Sequence, residues 1–354
     1  MHIIVIRHSI RNRGGDRLVL DYLDHLVRKD HEVSYWTNEV NTHFSINPAI
    51  DIKQIPFKGI GGTVLFTLFN RFRGDIILVD LIVMALFACL RNRNKTVCLA
   101  QDWDVTYHKN IFLKCFINVA YKLVLNALKV PTIAVSEGLA RILMKYQPKR
   151  LACVQNGVDL NVYKRNQKSH YLTQRQKPYI IGLFAREDRR KGLDIGIETL
   201  RLLKGLRPAS DWEVWVIGSP KVSLEGVSVK HLGFIANDDD LRDVLSAMDI
   251  YLVPSRSEGL SLLLLQALAC QCVIVSTAAS SIIEHEVNGL ISPIEDSQAL
   301  AANVSRVISD QGLFQKLKEN ARYLAQNYSI EKSKEQFEKT IKGIKNGKSI
   351  NDIS

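Results

Sequence analysis

The 354-residue chain is 46% hydrophobic and 23% charged, enough apolar material for a large core and too little charge for a disordered protein. Its net charge of +11 is uneven: residues 1–165 hold 23 Lys/Arg against 13 Asp/Glu, and the rest is close to neutral. A basic half fits an anionic partner (nucleic acid, an anionic membrane surface or a phosphorylated substrate) and equally a basic surface that serves only solubility.

Length predicts about two domains. The six cysteines form no C-x-x-C pair and no zinc pattern, and most lie in apolar stretches, so they read as core residues of a reducing compartment. The longest apolar stretch, Leu78–Leu90, contains Asp80 and falls short of the ~20 residues of a spanning helix. No transmembrane segment is expected.

The chain opens on Met1–Arg7, a short apolar run ending in a charge, which predicts a buried first strand over His2–Ile6 and no signal peptide. Gly14-Gly15-Asp16 then opens a helix over Gly15–Lys29. Glycines there either admit a phosphate to free N–H groups or only make a tight turn. Strands follow at Glu32–Trp36, Ile76–Val79, Thr96–Ala100, Thr132–Val135 and Ala152–Val154. Helices are expected between them at Gly62–Arg71, Asn110–Leu128 and Glu137–Tyr146. Asn156-Gly157-Val158-Asp159 is a turn signal, and the aperiodic polar run Lys164–Lys177 reads as a linker.

The alternation then restarts. Strands are expected at Tyr179–Leu183, Glu213–Ile217, Val229–Leu232, Ile250–Pro254 and Cys272–Ser276. Helices are expected at Leu193–Leu206, Asp239–Met248, Leu260–Ala269 and Gln298–Ile308. Residues 311–345 read as two or three charged helices, and Asn346–Ser354 as a frayed tail. Two such α/β units imply doubly wound, Rossmann-like domains facing a central cleft.

Two loops carry candidate chemistry. Arg186–Gly192 follows a strand, precedes a helix and holds four cations, either a diphosphate clamp or a solvated charge run. Pro254–Ala269 joins a strand to an apolar helix, with Glu258 and Gln266 eight residues apart, roughly one helix face if the helix starts early. No aromatic-basic interleaving or nucleic-acid motif is present, so no nucleic-acid partner is expected.

Seven elements in order resemble the retaining family 4 glycosyltransferases of GT-B fold. They are Gly14-Gly15, Ile133–Glu137, Asn156–Asp159, Arg186–Gly192, Gly233-Phe234, Pro254–Gly259 and Asn288–Leu290, and they cover nearly the whole chain. The resemblance implies an acceptor domain over 1–165, a donor domain over 166–328 and a helix over 329–354 that crosses back to the first domain. It implies Arg186 and Lys191 on the donor diphosphate and Glu258 on the transferred sugar. Gly14, Gly15, Phe234, Ile235, Gly259, Leu260, Ser261 and Gln266 would complete the donor set, with Gln101 and Asp102 on the acceptor side.

The chain departs from the family pattern in three places. Gln266 replaces the second acid of the Glu-x(7)-Glu motif, Ser261 replaces a usual Gly, and Gln101 stands where a His is common. Asp102 and Asp104 are the remaining candidates to hold the acceptor hydroxyl. Gln101-Asp102-Trp103 is similar to the rhamnosyltransferase-like branch of the family.

The resemblance implies transfer of a hexose or deoxyhexose from a nucleotide-diphosphate sugar to a glycan or polyprenyl-linked acceptor, in bacterial surface polysaccharide (O-antigen or capsule) biosynthesis. No metal and no cofactor are expected. A cytoplasmic location follows, with the basic half at the inner face of the membrane. The alternative is a non-catalytic GT-B partner subunit of an active enzyme.

Overall fold

The computed structural model describes residues 1–348. The chain forms two compact units, one of Met1–Asn156 with the segment from Glu331 onward, the other of Gly157–Ile330. The first unit runs β1 (His2–Ile6), β2 (Ile10–Arg11), α1 (Gly14–Arg28), β3 (Glu32–Thr37), β4 (Val40–Asn41), β5 (Ile50–Gln54), α2 (Gly59–Phe69) and β6 (Ile76–Val79). It continues through α3 (Ile82–Asn92), β7 (Thr96–Ala100), α4 (Ile111–Lys122), β8 (Thr132–Ala134), α5 (Glu137–Met144) and β9 (Leu151–Cys153).

Its main sheet has the order β5-β3-β1-β6-β7-β8-β9, parallel throughout. Parallel strands covered on both faces must be apolar along their length, and β6 and β7 are buried at every residue. Strand order reverses beside β1, whose neighbours β3 and β6 lead to opposite edges.

The second unit runs β10 (Tyr179–Ala185), α6 (Leu193–Leu206), β11 (Trp212–Gly218), β12 (Val229–Gly233), α7 (Asp238–Ala247) and β13 (Ile250–Val253). It closes with α8 (Leu262–Ala269), β14 (Val273–Thr277), β15 (Gly289–Ser292), α9 (Ser297–Ser309) and α10 (Gln311–Gln326). Its sheet is β12-β11-β10-β13-β14-β15, also parallel, and reverses between β10 and β13. Alternate residues of β10 enter two separate cores: Ile181, Leu183 and Ala185 one, Ile180 the other.

The chain leaves and re-enters the first unit beside Gly157. Val158 bridges Ser329 in parallel, and a Cβ on Gly157 would lie 2.5 Å from the Ile330 backbone. Helix α11 (Ile330–Lys345) then packs on α1. Tyr22 stacks on Phe337 with ring centroids 4.2 Å apart, its hydroxyl lies 2.7 Å from that of Ser333, and His25 Nε2 is 2.8 Å from Glu338 Oε2.

Several expectations are corrected. The unit boundary falls at 156/157 and not at 165, because Val158 and Tyr163 are buried in a core of the second unit. The 164–177 stretch is no linker: its polar side chains find partners there, with Asn166 donating to Asp243 (2.7 Å) and Arg175 to Asp249 (2.6 Å). Strands β2, β4, β5 and β15 and helix α3 lie where the sequence predicts no element. The expected single helix over 110–128 is α4 followed by a π-helical turn at Leu123–Ala127. The tail expected to fray lies, from residue 349, outside the described residues. Among the described residues no helix is long and apolar enough to cross a membrane. All six cysteines are free, four of them buried, while Cys115 is exposed.

Candidate active site

In an open parallel sheet the loops leaving the carboxyl ends of the two strands at the reversal diverge and leave a crevice. In the second unit these are the loops after β10 and β13, and they carry the two charged motifs. Arg186 directly follows β10. Asp188 accepts from Arg190 N (3.1 Å) and so caps a 3₁₀ turn over Arg189–Lys191. Gly192 then takes a left-handed conformation (φ +63°) against the other loop, where a Cβ would lie 2.0 Å from the Pro254 carbonyl oxygen. Glycine is required there on both counts.

The loops are joined at two points. Lys191 Nζ donates to Glu258 Oε2 (2.6 Å), and Ser255 Oγ donates to Glu258 Oε1 (2.7 Å). Glu258 is nearly buried and Lys191 mostly so. An ammonium has three donors, and Glu258 takes one.

The second point is Arg256. Its backbone N–H donates to the Arg190 carbonyl (2.7 Å), and Nη1 donates to the Arg189 carbonyl (2.9 Å). The guanidinium forks onto Asp194 (2.8 and 2.7 Å) and reaches Glu295 (2.9 Å). Hydrogen bonds donated to Asp194 and Glu295 push Arg256 above its ordinary pKa, and Arg256 holds both carboxyls below theirs. Burial would raise the Asp188 carboxyl, but hydrogen bonds from Arg190 and the charges of Arg190 and Arg186 outweigh it and keep it low.

Glu258 does not sit on the helix. Helix α8 begins at Leu262, and the Ser261 hydroxyl caps it by accepting from Leu264 N (3.4 Å), so Glu258 and Gln266 share no helix face. Gln266 is buried on α8, and Gly259 and Leu260 complete the loop before the cap. Phe234 and Ile235 follow β12 at the same carboxyl edge, Phe234 exposed and Ile235 packed on the core. Sequence reasoning missed Arg256, Asp194, Glu295 and Ser255. Arg256 stands inside a motif already singled out, but its partners lie 62 and 39 residues away along the chain.

The first unit places its candidates differently. Gly14 and Gly15, expected with the donor residues, open α1 beside Gln101, expected on the acceptor side. Gln101 Nε2 donates to the Gly15 carbonyl (3.2 Å), and a Cβ on Gly15 would strike Gln101 Oε1. Behind this contact Arg7 pairs with Asp16 (2.9 Å) and Asp80 (2.7 Å), all nearly or fully buried, and Arg13 also reaches Asp16 (3.0 Å). Burial opposes the Arg7 charge, but Asp80, Tyr35 and Asp16 overcome it and hold Arg7 protonated.

Asp102 Oδ1 accepts from Trp103 N (2.8 Å). Asp104 is buried and takes the Ile82 N–H (2.8 Å), and burial followed by the charges of Asp80 and Asp102 raises its carboxyl to about 7.

The family sequence model described as Glycosyltransferase Family 4 matches residues 12–162, and that described as Glycosyl transferases group 1 matches residues 178–310. The amylovoran biosynthesis glycosyltransferase AmsK of Erwinia amylovora is 31% identical over 148 residues, 37% of this chain and 36% of that protein. The chain spans about half the length of the curated relatives it matches.

Among solved structures, sucrose-phosphate synthase from Thermosynechococcus elongatus superposes with a TM-score of 0.80 at 18% identity, covering 98% of this chain and 100% of that one. Anabaena Alr3699/HepE in complex with UDP-glucose superposes at 0.75 and 19% identity, covering 97% and 100%. These likenesses give the fold as GT-B.

Proposed function

The chain belongs to the group 1 glycosyltransferases, and from that premise we propose that it is a retaining enzyme of surface polysaccharide biosynthesis. It moves a hexose or deoxyhexose from a nucleotide-diphosphate sugar to a glycan or polyprenyl-linked acceptor. The observation that carries this reading is the Lys191–Glu258 pair, held at the strand-order reversal on the loop that Arg186 opens.

Breaking the donor's anomeric C–O bond leaves its electron pair on the diphosphate, which departs with one more negative charge than the intact donor carries there. Preorganised cations lower the barrier because they meet that charge as it develops. Arg186 supplies a fork and Lys191 a point charge, so the reading needs no metal. Glu258, oriented by Lys191 and Ser255, accepts hydrogen bonds from the transferred sugar. The backbone of Gly259, Leu260 and Ser261 binds the same sugar, and Phe234 and Ile235 line the base. Gln266 takes the ribose, and Gln101 and Asp102 hold the acceptor beside Gly14 and Gly15.

The amylovoran relative supports a polysaccharide product, and the UDP-glucose bound to HepE supports a nucleotide-sugar donor. Gln101-Asp102-Trp103 favours the rhamnosyltransferase-like branch. The basic first unit supports a position at the inner face of an anionic membrane. Incubation with a panel of nucleotide sugars and a polyprenyl-linked acceptor tests the reading, with glycosylated lipid expected by mass spectrometry. Neither transfer nor donor hydrolysis with any sugar overturns it.

The second reading, a non-catalytic partner subunit, draws on the replacement of a family acid by Gln266. Calorimetry with nucleoside diphosphates separates the two. Binding that Arg186→Ala weakens supports the enzyme, and no binding by either form supports the partner.

A further inference from the structure

Helix α4 turns an apolar face outward. Phe112, Phe116, Val119 and Leu123 recur at spacings of four, three and four, one face of a helix, and all four are exposed, Phe112 at 81% and Val119 at 56%. The inner stripe of Ile117, Ala120, Tyr121 and Val124 is buried. The helix is therefore apolar on both sides, and Ile111 and Leu113 widen the outer stripe at its start. Single exposed hydrophobic residues are ordinary, but an unbroken stripe marks a surface that something covers.

The charge pattern identifies the cover. Residues 105–136 contain no Asp or Glu, and their cations are Lys109, Lys114, Lys122 and Lys129. The adjoining helix α3 packs on α4 and leads into exposed Arg91, Arg93 and Lys95, again with no acid between residues 81 and 101. A second copy of the chain fits poorly, because a twofold interface sets a patch against itself and would face lysine with lysine. An anionic bilayer fits both features. Its interface takes apolar side chains a few ångströms deep, and lysine stems reach back along that depth to the headgroups.

We propose that α4 docks on an anionic phospholipid bilayer. Phe112, Phe116, Val119 and Leu123 enter the interface, and the exposed Lys109, Lys122 and Lys129 engage the headgroups. This names the surface for the membrane contact given under the proposed function and requires nothing of the donor site.

Flotation of the full chain with vesicles of phosphatidylglycerol and phosphatidylcholine tests it. Binding is expected on the mixed vesicles at low salt, and about tenfold or more weaker for Phe112→Ser/Phe116→Ser. Lys109→Gln/Lys122→Gln is expected to bind less well than wild type and to lose part of the salt dependence. Both variants alter outward side chains, so unfolding midpoints and nucleoside diphosphate binding should match wild type. Retained nucleotide binding with lost vesicle binding isolates the surface from the donor reading. Three results overturn the proposal: no flotation of wild type, flotation unchanged in Phe112→Ser/Phe116→Ser, or a lipid-free dimer that this variant dissolves.

Discussion

Each unit reverses its strand order beside its first strand, and each places arginine and carboxylate at that point, yet the charges are arranged in opposite senses. In the first unit Arg7 lies between Asp16 and Asp80, and the three close on one another with almost no exposure. In the second unit Lys191 meets Glu258, while Arg186 and Arg190 stand half-buried in the same loop and Arg189 is exposed. The topology is shared and the burial is not. A buried, self-compensated cation holds a fold together, whereas paired cations that keep some exposure at a crevice can also meet an incoming anion. The reversal therefore marks where to look, and the exposure of its charges indicates what is there.

The comparison is broken most severely by Arg7→Met. It takes the cation from buried Asp80 and leaves Asp16 with Arg13 alone, and the loss of stability should reach about 3–5 kcal/mol, read from urea unfolding. An unchanged midpoint would mean that the Arg7 cluster does not hold β1 and α1. Lys191→Ala should instead act mainly on catalysis, lowering donor turnover by about 10²–10³ with a smaller loss of stability, because Glu258 keeps its hydrogen bond from Ser255. A near-normal rate would remove Lys191 from the diphosphate site.

Arg256 sharpens the contrast, since it clasps the crevice loops without facing the ligand. Arg256→Met should raise the donor KM about tenfold, equal to about 1.4 kcal/mol, and Arg256→Lys should recover part of that. Equal KM values for all three forms would show that the clasp does not position the loop.

The smallest effect concerns Asp104. Its folded pKa of about 7 lies above the ordinary 3.8. Between those values the folded chain keeps a proton that the unfolded chain releases, so stability falls as pH rises through that window. Asp104→Asn should flatten the slope by about 1 kcal/mol between about pH 5 and about pH 6, measured by urea midpoints. A wild-type slope unchanged by the substitution would place the titration elsewhere.

Much of this was legible in the amino-acid sequence. Apolar runs bounded by polar turns marked most of the main strands, and Arg186–Gly192 stood out because four cations between a strand and a helix are conspicuous. What escaped has identifiable causes. Helix α3 is apolar almost throughout, so its period is hidden, and it entered the reading only as a membrane span too short to cross. Strand β5 buries little beyond Ile50, so it lacks a strand signal. The start of α8 was available in Ser261 before an apolar run, a capping signal passed over in favour of the Glu258–Gln266 spacing. Arg256 could not be assigned, because its partners are supplied by α6 and the loop before α9. The outward stripe of α4 was equally hidden, since an apolar residue at helical spacing reads as core until its exposure is known.

The crossing at Gly157 bears on the order of synthesis. The second unit is one continuous stretch whose ends already pair through Val158 and Ser329, so it can complete itself while the ribosome is still working. The first unit, although begun earlier, is spliced from two stretches and waits for α11 to bring Phe337 onto Tyr22. The earliest-made half is therefore the last to be finished, and until then α1 exposes to the cell an apolar face meant for its own distant helix.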